Sequence, residues 1–193
     1  MTTANKISIA RVLLVPFFVV EVLYYAADGV ELHRLFAVLC FAVAAVSDGV
    51  DGYIARRYNQ RSELGAVLDP LADKLLLVSA VVVLSLDNQP HLPRLPLWLT
   101  GTIIGRDALL ALGWLVIHHV CGRATVRPIL AGKIATVLQM ICIGWALLKW
   151  PDDWFPWLAG ATALFTGAAG AFYVRDGIRQ LSHSPSSAPT PRP

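Results

Sequence analysis

Charge is scarce in this chain: Asp, Glu, Lys and Arg supply 15% of its 193 residues, while apolar types supply 56%. A soluble domain carries about 25% charge and must turn a polar face to water. That scarcity, with a mean hydropathy of +0.59, excludes an ordinary soluble fold. Basic runs are missing too: nothing exceeds the pair Arg56-Arg57, and the net charge is only +3, which argues against a nucleic-acid partner. The three cysteines, Cys40, Cys121 and Cys142, show no CxxC or Cys/His spacing, which excludes a zinc motif and leaves them as small apolar residues. No cleavage site of small residues follows the first apolar segment, so that segment is a retained helix and not a signal peptide. Internal repeats and paired broken segments of the transporter kind are absent as well.

What the chain has instead is a series of long apolar stretches. A helix needs about 20 mostly apolar residues to cross the hydrocarbon of a bilayer. Six stretches meet that roughly: Ile7 to Ala26, Leu32 to Arg56, Leu64 to Leu86, Leu95 to His118, Ile129 to Lys149 and Trp154 to Tyr173. The tryptophans gather near their ends, where indole rings favour the membrane interface. Six crossings put both termini on one side. On that side fall ten cations (Lys6, Arg11, Arg56, Arg57, Arg61, Arg123, Arg127, Arg175, Arg179 and Arg192), against Arg34, Arg94 and Lys149 on the other. The positive-inside rule makes that side cytoplasmic. The predicted fold is therefore an all-α integral membrane protein, a six-transmembrane-helix bundle with both termini cytoplasmic. Residues 1–181 form one membrane domain, and a Ser/Pro-rich tail, 182–193, has too little apolar content to order itself.

The informative stretch is Ser47 to Leu77, where Asp48, Asp51, Asp69 and Asp73 stand at the cytoplasmic ends of two apolar segments. An ionised group near hydrocarbon is costly unless paired, hydrated or metal-bound, so such acids are functional candidates. Helical spacing places Asp48, Asp51 and Ala55 on one face, and Gly65, Asp69 and Asp73 on another. If the two helices are antiparallel neighbours, the four carboxylates converge on one pocket. Oxygen donors without His or Cys suit hard cations such as Mg²⁺ or Mn²⁺. Gly49, Gly52, Ala55 and Gly65 leave room for a bulky polar group, and Arg56 offers a planar fork to a phosphate.

These residues fill the pattern D-x2-D-G-x2-A-R-x8-G-x3-D-x3-D at every fixed position: Asp48, Asp51, Gly52, Ala55, Arg56, Gly65, Asp69 and Asp73. In this the chain resembles the CDP-alcohol phosphatidyltransferases, integral membrane enzymes with six helices that often form homodimers. The resemblance implies that Asp48, Asp51 and Asp69 hold a pair of divalent ions. It implies that Asp73 lies near the second ion and takes the proton of the acceptor hydroxyl, and that Gly52, Ala55 and Arg56 contact the cytidine diphosphate of CDP-diacylglycerol. The two-ion clamp suits attack on a pyrophosphate, which builds charge on both sides of the reacting phosphorus. The resemblance also implies a lipid bilayer as surroundings and, for a bacterial member, the inner membrane with the active site facing the cytoplasm.

The acceptor must be read outside that signature. Asn5-x-Ile7-Ser8-x-x-Arg11 and Gly132-Lys133-x-x-Thr136-x-x-Gln139 resemble the branch of the family that uses glycerol 3-phosphate, and Arg106 and Lys133 are intrahelical cations suited to its phosphate. Two features depart from that branch: Ala4 stands where it has proline, and Arg106-Asp107 looks more like the branch that uses phosphatidylglycerol. The plainer readings are that Arg11 is a topology anchor, Arg106 an ion-pair partner of Asp107 and Lys133 a snorkelling side chain. An ion or proton transporter would also hold buried aspartates, but spread through the bilayer, whereas these four gather at one boundary. A membrane scaffold would not require the acids and small residues together.

Overall fold

The computed structural model describes the backbone of residues 3–58, 63–88, 90–121, 129–151 and 153–182, and their side chains except at 3–8, 48–58, 63–70, 118, 120, 121 and 180–182. Six helices follow one another: α1 (Thr3–Asp28), α2 (Glu31–Tyr58), α3 (Glu63–Ser85), α4 (Leu97–Cys121), α5 (Leu130–Leu148) and α6 (Phe155–Ser182). No strand occurs among the described residues. Each helix covers one expected apolar stretch. Helix α6 departs most, since it runs well past Tyr173 and closes on Ser182, the residue expected to open the tail; residues 183–193 lie outside the described part. Among the described residues, the segments long and apolar enough to cross a membrane are Ile9–Asp28, Leu97–Ile117, Leu130–Leu148 and Phe155–Arg179, in α1, α4, α5 and α6. Helices α2 and α3 carry the acidic signature.

The chain divides into two compact units. The first comprises residues 1–96 and 141–151. In it α1 packs on α2 and α3. Arg11, Val15, Phe18, Val22 and Tyr25 are buried along α1, spaced alternately by four and three residues, which is one helical face. Against them lie Ala37, Cys40, Phe41 and Ala44 of α2, and Ala72, Leu76, Ala80 and Leu84 of α3. Phe18 and Phe41 meet with ring centroids 6.1 Å apart. The opposite faces are greasy: Leu13 is 66% exposed and Val46 64%. Lipid tails accept such faces at no cost, so close packing, not expulsion of water, holds the helices together.

Two helix ends show how the sequence stops each run. Gly29 follows α1 at φ +71° and donates its N–H to the Tyr25 carbonyl at 2.9 Å, a left-handed cap. Helix α5 ends with Lys149 at φ 53°; the N–H groups of Lys149 and Trp150 reach the Ala146 and Trp145 carbonyls, both at 3.2 Å, and Trp150 sits on Trp145 with centroids 4.9 Å apart. That is a Schellman motif with its hydrophobic contact, stopped by Pro151. These ends share a polar cluster. The Tyr25 hydroxyl donates to Glu31 at 2.8 Å, Lys149 Nζ lies 3.4 Å from Glu31 and 5.1 Å from the Tyr25 ring centre, and Arg34 pairs with Glu31. The Tyr25 hydrogen bond, then the one from Arg34, holds the Glu31 carboxyl below its ordinary range; Tyr25 also leads the causes that raise the Lys149 ammonium.

The second unit comprises residues 97–140 and 152–193. Its centre is the contact of α4 with α6. Leu99, Ile103 and Arg106 are buried on α4, and Ala159, Thr162, Thr166 and Ala169 form the matching stripe on α6. Small residues let helix backbones approach closely where no water drives them together. Gln139 of α5 is 1% exposed and donates to the Thr166 hydroxyl at 3.2 Å, a polar rung within this apolar unit.

Candidate active site

The signature begins on α2 and ends on α3, and the two helices touch within the first unit. Helices joined by a connection as short as residues 59–62 run antiparallel. Continuous helix through Asp48, Asp51 and Ala55 gives those positions one face, and α3 does the same for Gly65, Asp69 and Asp73. The side chains of Asp48, Asp51, Gly52, Ala55, Arg56, Gly65 and Asp69 lie outside the described residues. Asp73 is half-buried, next to the fully buried Ala72 and one turn before the buried Leu76 and Leu77. Two of the four carboxylates thus belong to each helix. A donor set of oxygen alone fits a hard divalent ion and does not fit zinc.

Arg11 belongs to the same unit and is 1% exposed, on the α1 face that carries Val15 and Phe18. A guanidinium whose only task was to mark the cytoplasmic side would face lipid headgroups or water. Burial therefore removes the reading of Arg11 as a plain topology anchor.

Arg106 is in the second unit and is 7% exposed. Its Nη1 donates to Asp107 at 2.6 Å, and its guanidinium carbon lies 5.7 Å from the Tyr173 ring centre. It also reaches the first turn of α5: a Cβ on residue 132 would stand 3.2 Å from Arg106 Nη2 and 3.1 Å from the Tyr173 hydroxyl oxygen. Lys133 follows Gly132 and is exposed. The N–H groups of Gly132 and Lys133 already reach the Ile129 carbonyl, at 3.1 and 3.3 Å, so what this turn offers an anion is the positive end of the helix dipole. Two cavities lined by α4 and α6 share Arg106 and Gly170. The structure thus brings together Arg106, Tyr173 and the Gly132-Lys133 turn, and the ion pair with Asp107 is present as well.

Sequence reasoning missed Tyr173. The available signal was its position on α6, seven residues after the buried Thr166, which keeps both on one face. It also missed the chain of contacts in which His33 Nδ1 meets Glu21 at 2.7 Å and Nε2 meets Asp28 at 3.5 Å. Among the described residues no three His, Cys, Asp or Glu side chains are arranged for a metal ion, so this chain is an ion-pair feature.

The pattern describing the CDP-alcohol phosphatidyltransferases matches residues 1–167. The chain belongs to that family. Its similar proteins include the CDP-diacylglycerol--glycerol-3-phosphate 3-phosphatidyltransferases of Escherichia coli K12 and Shigella sonnei, each 34% identical over 162 residues, covering 84% of both chains. The enzyme of that name from Shigella boydii is 34% identical over 163 residues, again 84% of each. For a CDP-alcohol phosphatidyltransferase, acidic residues on two adjoining apolar helices are the expected chemistry, and this chain is a phosphatidyl-transferring membrane enzyme of phospholipid synthesis.

Proposed function

We propose that this enzyme transfers the phosphatidyl group of CDP-diacylglycerol to glycerol 3-phosphate, giving phosphatidylglycerophosphate and CMP. The observation that carries the reading is the unbroken signature from Asp48 to Asp73 on two touching helices. The acceptor rests on the activity named for the similar enzymes and on Arg106, which reaches Gly132 in the first turn of α5. In this reading Asp48, Asp51, Asp69 and Asp73 hold two divalent ions, Mg²⁺ or Mn²⁺. When bound, such ions neutralise charge on the pyrophosphate and the leaving CMP. Gly52, Ala55, Arg56 and Gly65 admit and grip the cytidine diphosphate.

Asp73 also takes the proton from the acceptor hydroxyl as its oxygen bonds to the phosphorus carrying diacylglycerol. The bond from that phosphorus to the bridging oxygen breaks, and CMP leaves with the electron pair. Arg106, Lys133 and Arg11 are the cations we assign to the acceptor's phosphate, a group that a fork of N–H donors recognises better than a neutral alcohol. We further place all six helices across the bilayer, residues 1–181 as the membrane domain, both termini and the active site on the cytoplasmic side of a bacterial inner membrane, and the enzyme as a homodimer.

The test is CMP release by purified enzyme with CDP-diacylglycerol and Mg²⁺. Release on addition of glycerol 3-phosphate, lost in a chelator and restored by Mg²⁺, is the expected outcome. Release with phosphatidylglycerol alone would move the enzyme to the other acceptor branch, the one its Arg106-Asp107 pair resembles. No release with any acceptor would overturn the transferase reading in favour of a transporter or scaffold.

A further inference from the structure

We propose that Tyr173 and Gly132 are positioning residues for the acceptor, because together they fix which edge of the Arg106 guanidinium is presented to a phosphate. The inference rests on the assignment of Arg106 to the acceptor's phosphate. It concerns a residue, Tyr173, beyond the matched 1–167.

A guanidinium has two usable edges. Nη1 of Arg106 is taken by Asp107 at 2.6 Å. The other edge, where the Nε–H and an Nη2–H run parallel, is the one that grips two phosphate oxygens at once. On that edge Nε is buried and has no hydrogen-bond partner among the described residues. A buried donor left unsatisfied costs free energy, and native structures keep such groups for a ligand or another stated reason.

Two features set the plane and the clearance of this edge. The Tyr173 ring lies 5.7 Å from the guanidinium carbon, within the range where a ring face attracts a cation. Gly132 supplies the clearance, since a Cβ there would stand 3.2 Å from Nη2 and 3.1 Å from the Tyr173 hydroxyl oxygen. A Cβ at 132 would be in tight contact with both partners and require them to shift by a few tenths of an ångström. The missing side chain also lets the first turn of α5, the positive end of its dipole, lie close to the guanidinium. Asp107 on Nη1, Tyr173 at the face and the bare α5 turn beside Nη2 therefore hold one rotamer of Arg106, its Nε–H without a hydrogen-bond partner among the described residues.

The experiment is steady-state kinetics of the full-length enzyme in lipid nanodiscs, with KM measured separately for glycerol 3-phosphate and CDP-diacylglycerol. Tyr173→Leu and Gly132→Ala should each raise KM for glycerol 3-phosphate about tenfold, leaving kcat and the KM for CDP-diacylglycerol within about twofold. Tyr173→Phe keeps the ring and should stay within about twofold of the parent throughout. Arg106→Ala should raise the acceptor KM about a hundredfold. If Arg106→Ala does so while Tyr173→Leu and Gly132→Ala do not, the positioning role is overturned and the acceptor assignment stands. If Arg106→Ala leaves that KM unchanged, the acceptor assignment itself is overturned. Equal rises in both KM values for Tyr173→Leu, not restored by Tyr173→Phe, would mark a structural role and also overturn the proposal.

Discussion

Asp73 and Arg106 are charged side chains set in greasy helices, and neither is tolerated there without a task. Asp73 is half-buried, next to the buried Ala72 and one turn before the buried Leu76 and Leu77. As the proposed base it has a testable signature: Asp73→Asn should lower kcat about 10³-fold while metal-dependent binding of CDP-diacylglycerol is kept in part, measured by turnover and by titration of the lipid nucleotide. Full activity in that variant would remove Asp73 from the mechanism. The eight-position signature was legible at this scale because catalytic side chains must recur at helical spacing to share a face. Tyr173 was not legible, because its importance comes from the ring lying against a cation on another helix.

Helix ends carry the consequences at the next scale. Gly29 closes α1 at φ +71°, where an added Cβ would also run into the His91 ring. Gly29→Ala should cost about 1–2 kcal/mol for the left-handed backbone alone, seen as a lower Tm with the signature helices otherwise unchanged. Glu31, at the start of α2, adds a pH dependence. Its carboxyl is held below the ordinary range in the folded protein, chiefly by the Tyr25 hydroxyl and Arg34. A lowered carboxyl stabilises the fold at neutral pH, and that contribution is lost as pH falls through the folded value. Glu31→Gln should therefore lower Tm slightly at pH 7, the effect being small because the group faces solvent, and the difference from the parent should vanish in acid. A constant difference across the titration would show that Glu31 acts by shape alone. Helix number and order were readable from apolar length; the end of α6 was not, since the apolar stretch stops at Tyr173 while Arg175, Asp176 and Arg179 continue the helix.

For the whole molecule the decisive question is how the chain lies in its bilayer. Among the described residues four segments qualify as spans by length and composition, and six crossings require α2 and α3 to cross as well. In a background with Cys40, Cys121 and Cys142 replaced by alanine, a single cysteine at Ser187 should react with an impermeant thiol reagent only in inverted vesicles. One at His91 should react only in right-side-out vesicles. Labelling of both positions from one side would contradict the three crossings by α4, α5 and α6 that must separate them. The two units recognised in the fold divide α5 between them, with residues 130–140 in one and 141–148 in the other. Substitutions in α5 therefore act on different packing partners according to which half they fall in.

Composition, apolar length and the spacing of eight residues determined the class of the protein, its helices and its chemistry, because each is a local property: hydrocarbon thickness sets segment length, and a 3.6-residue period sets which side chains share a face. Tertiary structure decided the rest. Only packing shows that Arg11 is enclosed in a helix face, that Arg106 lies between Tyr173 and a bare glycine turn, and that Glu31, Tyr25 and Lys149 form one cluster from distant parts of the chain. Contacts between helices depend on which faces meet, and no periodicity within a single helix records its partner.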